Sequence, residues 1–401
     1  MCSASVSTDC GGCMPMRKRH VAIVTALPPS RTTLSEYGHH LVQALHDAPE
    51  VGEVTVLAED HPTGGTYETS DRMRVVPAWR FNSLLTPLRL VQALRREQPD
   101  IAVFNLHFSS FGSSRPAAAL GLFAPLLARL AGITTVTVLH NIVETVDLEA
   151  AGFRYGRIAQ RAMRAIGTLL TWVVLRSHVV TTTMPRYVEI LRRKYRADNV
   201  VLVPHGAFEI PPPPPARDEL GRRRILTFGK FGTYKKVEPL IDAVKRLQET
   251  REVELVIAGT DSPNAPGYLA AVEADHGGPG ITFAGYVPEA DVPATFLGSA
   301  ITVFPYTSTT GSSGVLHQAG SYGCAAVLPD IGDLADLLAE EGYAGELFEP
   351  GEDGSLAEAL ARLLDDPDRC DEIGIENYYA SCGIPIGDVA SWILFHSGAV
   401  A

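Results

Sequence analysis

The sequence predicts two tandem α/β domains of the doubly wound, Rossmann-like kind, facing each other across a central cleft. Three observations predict it. Short runs rich in Val, Ile and Thr alternate with longer helical patterns along the chain, the signature of a parallel sheet with helices packed on its faces. Five consecutive prolines, Pro211–Pro215, interrupt that alternation near its middle. The formal charge changes sign close to the same point.

The first set of strands is read at 20–26 (HVAIVTA), 53–58, 101–106 (IAVFNL), 133–139, 178–183 and 199–204. Their near-continuous apolar and β-branched content fits strands buried on both faces. Helical periodicity lies between them at Ser35–Asp47, Pro87–Glu97, Pro116–Ala131 and Pro185–Arg196. The proline run cannot join a helix or a central strand, so it is read as an extended spacer. Beyond it, strands are expected at 224–229, 254–259, 281–285, 300–305 and 325–329. Helices are expected at 237–249, 289–298, 313–322 and 354–366. A length of 401 residues suits two domains of ordinary size. There is no P-loop and no Gly-x-Gly-x-x-Gly opening the first helix.

Composition narrows the function. Residues 1–224 hold 26 Lys+Arg and 19 Asp+Glu, a net of +7, whereas residues 225–401 hold 8 and 27, a net of −19. The basic excess is sharpest over 151–196, with ten basic residues against Glu189 alone. Arg154, Arg157, Arg161 and Arg164 recur at helical spacing, so they share a face that is either simply solvated or meets anionic lipid or an anionic substrate. Nucleic acid is excluded, because the acidic half would repel it. Uncharged stretches such as Pro116–Ala128 and Ala165–Leu175 are too short to span a bilayer. The first twenty residues lack a signal-like apolar run, so a cytoplasmic location is expected. Cys10 and Cys13 look like half a zinc site, but no partner pair completes it, and Met16 is a possible alternative start.

The candidate chemistry lies at strand ends. Lys230 and Lys235 follow the first strand after the prolines, in a turn eased by Gly229 and Gly232. Two ammonium groups there suit a diphosphate. A Gly- and Ser-rich segment, 307–323 (TSTTGSSGVLHQAGSYG), runs into a helix beginning near Ser313, where free N–H groups and the helix dipole favour an anion. His107 follows strand 101–106, and His140 and Asn141 follow strand 133–139. No metal-ligand spacing and no Ser-His-Asp elbow is present.

Taken together, these residues resemble the retaining glycosyltransferases of the GT-B fold, specifically glycosyltransferase family four. The resemblance covers nearly the whole chain after residue 19 and is strongest over 224–350. GKFGTYKK looks like the family's Gly-Arg…Lys-Gly segment, with Lys230 at the Arg position and Lys235 at the Lys position. TVLHN looks like the motif whose His lies beside the transferred sugar, which gives His140 that role, and VPHG (203–206) looks like the end of the acceptor domain. ITFAGYVP would set Tyr286 and Val287 against the nucleotide base. The signature of two glutamates separated by seven residues falls on Thr310 and Gln318, neither of them acidic. Gln318 can still bond ribose through its amide, and the backbone amides of Gly311, Ser312, Ser313, Gly314, Val315 and Leu316 remain for the donor.

The resemblance implies an N-terminal tail at 1–19, an acceptor domain at 20–210, a linker at 211–221 and a donor domain at 222–378. The last stretch, 379–401, would be a helix crossing back to the first domain. It implies a metal-independent transferase with no cofactor beyond a nucleotide-diphosphate sugar as co-substrate. Lys230, Lys235 and His140 would act on the donor, and His107 and Asn141 would face a small-molecule, glycan or lipid-linked acceptor. Peripheral membrane contact through 151–196 is a further expectation. Three other readings stand beside it: a catalytically altered or partner-dependent sugar-nucleotide binder, prompted by Thr310 and Gln318; a sugar-nucleotide epimerase using Glu144 and Asp147; and a plain nucleotide-binding module.

Overall fold

The computed structural model of the protein describes residues 17–30, 34–61, 69–144, 157–262, 264–308 and 311–398. Cys2, Cys10, Cys13, Met14, Met16, Asp147, Arg154 and Thr310 lie outside the described residues.

The first sheet has seven strands: β1 (Arg19–Val24), β2 (Val51–Glu59), β3 (Met73–Trp79), β4 (Ile101–Leu106), β5 (Thr134–Leu139), β6 (Val179–Thr182) and β7 (Val200–Leu202). Their spatial order is β3-β2-β1-β4-β5-β6-β7, and every pairing is parallel. Six helices connect them: α1 (Ser35–Asp47), α2 (Thr86–Glu97), α3 (Arg115–Gly121), α4 (Ala124–Leu130), α5 (Arg157–Val174) and α6 (Pro185–Tyr195). The whole of β4 is buried, as its apolar run, broken only by Asn105, demands of a central strand.

The second sheet repeats the plan. After α7 (Glu219–Arg223) come β8 (Arg224–Phe231), α8 (Glu238–Gln248), β9 (Glu254–Asp261), α9 (Tyr268–His276), β10 (Ile281–Gly285), α10 (Val292–Leu297) and β11 (Ile301–Val303). They are followed by α11 (Gly314–Ser321), β12 (Ala325–Pro329), α12 (Gly332–Glu341) and β13 (Gly345–Phe348). The order is β10-β9-β8-β11-β12-β13, again all parallel. The chain ends with α13 (Ser355–Leu364), α14 (Pro367–Cys382) and α15 (Ile386–His396).

Strand order reverses beside β1 and β4 in one sheet and beside β8 and β11 in the other. Such switch points open a crevice at the carboxyl ends of the strands.

Helices α7, α9, α12 and α14 were not expected, and three other elements depart from the sequence reading. β3 was not expected: Arg74 and Pro77 break its apolar run, and both are tolerated because β3 is an edge strand. β13 was also missed, being four residues long and only partly buried at the other edge. The single helix expected over 116–131 is two helices. Pro125 has no N–H to offer the Gly121 carbonyl four residues back, and the chain turns between α3 and α4.

The halves are joined by more than a tether. A bridge pairs Ala207 with Pro385, where the Ala207 N–H donates to the Ile384 carbonyl at 2.8 Å and the Ile386 N–H donates to the Ala207 carbonyl at 2.9 Å. The chain therefore enters and leaves the second sheet along adjacent paths. Past that return, α15 buries Ile386, Val389, Ala390, Ile393 and Leu394 in the same cluster as Ile23, Leu41 and Leu45 of the first sheet and α1. A second apolar cluster is continuous across the halves, from Phe104, Met184 and Tyr187 to Leu316, Leu328 and Leu334. Each such side chain contributes roughly 1.5–3 kcal/mol by burial. The proline spacer is docked as well, since Tyr378 donates to the Pro211 carbonyl at 2.8 Å and Arg217 grips the carbonyls of Tyr322 and Gly323 at 2.9 and 3.0 Å.

Candidate functional site

On the first sheet the site is built around His140, just past β5 and 8% exposed. Its Nε2 lies 2.7 Å from the side-chain oxygen of Asn105, which is buried inside β4. The Asn105 amide donates to Thr25 Oγ1 at 3.0 Å, and the Thr25 hydroxyl donates to the Ala26 carbonyl at 3.1 Å. This chain of donors leaves the Asn105 oxygen as an acceptor only, so His140 carries its proton on Nε2 and presents a lone pair on Nδ1. Burial, reinforced by the nearby His205 and His107, holds its pKa well below the usual histidine range, so the ring is neutral at pH 7. Tyr37 stands edge-on to it with ring centroids 4.5 Å apart.

His107 and Asn141 are neighbours. The Asn141 oxygen accepts from the Phe108 N–H at 3.3 Å, so its amide holds the loop carrying His107. The His107 ring lies 3.0 Å from Ser109 Oγ, through Nδ1. Glu144 is turned away from this edge. Its carboxylate pairs with Lys194 at 2.9 Å and accepts from the Tyr195 hydroxyl on α6.

The second sheet supplies a facing loop and helix. The loop after β11 runs through Gly311, whose φ is +87°. A Cβ there would lie 2.5 Å from the His140 carbonyl oxygen, so only glycine lets the loop press against that strand end. Helix α11 starts at Gly314, and Ser313 at its N-cap makes no capping bond. Ser312 instead lies 3.1 Å from His317 Nε2. Among the described residues, the N–H groups of Ser313, Gly314 and Val315 meet no protein acceptor. They point outward from a helix start, an arrangement suited to anions.

His205 presses on this helix start. It stacks on His317 with ring centroids 5.1 Å apart and planes within 5°, and a Cβ at Gly314 would lie 3.1 Å from it. Burial pushes His205 down to about 4 and His317 well below the usual range, which keeps two stacked rings uncharged. Beside His317 the Glu341 carboxyl is raised by burial to about 8.

Lys235 follows β8, whereas Lys230, expected past a strand ending at residue 229, lies within β8 because the strand continues to Phe231 and pairs Lys230 with Thr260. The end of β8 packs so tightly on β9 that a Cβ at Gly259 would lie 1.8 Å from the Gly229 carbonyl oxygen. Gly229 itself sits beside the Lys235 ammonium. Lys235 Nζ lies 4.4 Å over the Tyr306 ring, a cation–π contact that aims it at the loop after β11. The backbones of the two loops are linked, with the Lys236 N–H donating to the Pro305 carbonyl at 3.0 Å and the Thr307 N–H to the Tyr234 carbonyl at 2.8 Å. Lys230 faces Glu36 of α1, whose pKa is raised by burial and eased back by the lysine's charge.

At the outer end of the crevice, Val287 packs among Leu226, Phe296 and Ala319, with Tyr286 exposed beside it. Gln318 lines a recess with Phe208, Glu209, Glu289 and Tyr322. His40 reaches across to Glu289 at 3.3 Å. The structure thus gathers His140, Lys235, Gly311 and the start of α11, with Lys230 across from α1. Tyr286 and Val287 lie further out. Asn105, Tyr37, His317 and Asp333 went unnoticed in the sequence.

A family model described as "Glycosyl transferase 4-like domain" matches residues 32–206, and one described as "Glycosyl transferases group 1" matches residues 222–366. The protein is a GT-B glycosyltransferase.

Solved structures share the two-sheet architecture. Sucrose-phosphate synthase from Thermosynechococcus elongatus superposes with a TM-score of 0.71 at 16% identity, covering 94% of this GT-B chain and 97% of that one. Anabaena HepE in complex with UDP and glucose gives 0.65 at 16% identity, covering 94% and 99%. The catalytic domain of starch synthase IV from Arabidopsis thaliana, bound to ADP and acarbose, gives 0.66 at 13% identity, covering 96% and 99%. At such identities the likeness is one of fold. No curated protein sequence matches the chain.

Proposed function

We propose that the protein is a retaining, family-four type glycosyltransferase that moves a sugar from a nucleotide-diphosphate donor to an acceptor hydroxyl. The observation that carries this reading is the meeting of the His140 strand end with Gly311 and the unpartnered N–H groups of α11, beside Lys235. The complexes of HepE with UDP-glucose and of starch synthase IV with ADP support a sugar nucleotide as donor.

In this reading the diphosphate lies between Lys230, Lys235 and the N–H groups of Ser313, Gly314 and Val315. Those groups stabilise the charge that develops as the sugar–phosphate bond breaks, in the place a metal ion would otherwise take. The acceptor oxygen attacks from the same face and its proton passes to the leaving phosphate oxygen, so configuration is retained. The neutral His140, with its lone pair on Nδ1, accepts a hydrogen bond from a sugar hydroxyl, and His107 borders the acceptor. Tyr286 and Val287 flank the base and Gln318 meets the ribose.

We place the enzyme in the cytoplasm, acting in glycan, glycolipid or natural-product synthesis, with a membrane surface as its working site. No helix among the described residues is long and apolar enough to cross a bilayer. Helix α5, however, has no acidic residue and leaves Ile166 and Leu169 each 54% exposed and Trp172 44% exposed, beside the exposed Arg161 and Arg164. Arg176 lies 4.4 Å over the Trp172 ring. Apolar and basic side chains on one face fit the boundary of an anionic bilayer, where each basic residue adds about 1 kcal/mol. Gly167 packs on Val143, three residues past His140, so this face begins near the acceptor side. The protein should sediment with vesicles of phosphatidylcholine and phosphatidylglycerol but not of phosphatidylcholine alone. Leu169→Ala with Trp172→Ala should end that binding. Equal sedimentation with both vesicle types would remove the electrostatic argument.

Purified protein offered UDP-, GDP- and ADP-sugars should gain thermal stability with one nucleotide class and release that nucleotide when given an acceptor. Gln318 in place of an acid favours one second reading, a binder without turnover, and stabilisation with no release would select it. No stabilisation by any of them would reject both.

A further inference from the structure

We infer that Asp333 is a positioning residue through which the first domain sets the backbone of the donor loop. Asp333 opens α12 and is 2% exposed. One of its oxygens, Oδ2, accepts from the Gly311 N–H at 3.0 Å and also from the Tyr187 hydroxyl. Gly311 belongs to the loop that leads into α11, whereas Tyr187 belongs to α6 of the other sheet. The two contacts lie 22 and 146 residues from Asp333 along the chain. A single carboxylate oxygen thus ties the acceptor half to the donor half.

Its surroundings suit that task. The Tyr187 ring is fully enclosed in the apolar cluster shared by the halves, so its hydroxyl has a fixed direction. Arg186 lies 3.8 Å from the other oxygen, Oδ1, and balances the buried charge. A carboxylate held from both sides cannot rotate away from Gly311 without breaking a charge-assisted bond. Gly311 needs such a hold. At a φ of +87° it is conformationally permissive, and it lies against the His140 carbonyl just ahead of the three unpartnered N–H groups. Those groups assist a developing charge only if their directions are set beforehand. His317 secures the next residue, Ser312, at 3.1 Å, so the loop is fastened at two successive positions by buried groups.

The catalytic part of this inference rests on the glycosyltransfer reading, and its structural part does not. Tyr187→Phe removes only the hydroxyl and keeps the apolar ring, and Asp333→Asn keeps the shape and removes the charge. In the full-length protein, exchange of the Gly311 amide, which Asp333 holds, should quicken about tenfold in both variants. With the donor that the wild-type enzyme uses, kcat in Tyr187→Phe should fall about tenfold, while its affinity for the free nucleotide diphosphate, measured calorimetrically, stays within about twofold. Unchanged exchange in Tyr187→Phe would overturn the inference. So would a loss of nucleotide affinity that matches the loss of kcat. If the wild-type protein transfers sugar from no donor, the glycosyltransfer reading falls, and the exchange measurement still decides whether Tyr187 sets the loop through Asp333.

Discussion

Replacing Lys230 and Lys235 together by alanine should lower kcat/KM for transfer by a hundredfold or more and leave the fold intact. Two charge-assisted hydrogen bonds to a diphosphate amount to about 3–6 kcal/mol, and 1.4 kcal/mol corresponds to about tenfold. Both side chains are only partly enclosed. The melting temperature should therefore shift little, with Lys235 giving up its contacts with the Tyr306 and Tyr234 rings. The acidic character of residues 225–401 heightens the expectation, because few local positive charges oppose a net of −19. Lys235→Arg should retain part of the activity, since the charge persists with altered geometry. Wild-type turnover in the double variant would sink the assignment of the diphosphate to this turn.

His140→Ala should reduce kcat by one to two orders of magnitude, with nucleotide binding preserved. The substitution deletes the lone pair offered to the sugar and strands the Asn105 oxygen, at a cost of about 1–3 kcal/mol. Asn105→Ala should cost about tenfold, because His140 would no longer be held in one tautomer. Because burial keeps His140 uncharged, lowering the pH from 8 to 6 should not titrate it out of activity. The check is a set of initial rates across that range, with calorimetric nucleotide affinity as the control. A His140→Ala enzyme with wild-type kcat would remove the residue from the reaction.

What could be read in the sequence was the part written in local pattern. The strands β1, β4 and β5 are dominated by apolar and β-branched residues, and a strand enclosed on both faces has few other ways to be encoded. The edge strand β3 carries an arginine and a proline, so the rule that exposes central strands hides it. The site was legible where polar residues follow a strand, as with His107, His140 and Lys235. It was not legible where a polar residue sits within one. Asn105 reads as a blemish in β4 until its bonds to His140 and Thr25 are seen. Tyr187 and Asp333 are separated by 146 residues, and neither segment carries a mark of the other. Only the packing of the two halves brings them together.

The return of α15 to the first sheet bears on how the chain is made. Val389, Ala390, Ile393 and Leu394 complete the core around Ile23 and Leu41, yet a ribosome reaches them only after the entire second sheet. The half synthesised first is therefore the half finished last, and until then it exposes an apolar groove where α15 will lie. A nascent first half cannot mature alone, and a chain cut short before residue 386 would leave an incomplete core in a half whose own strands are all present.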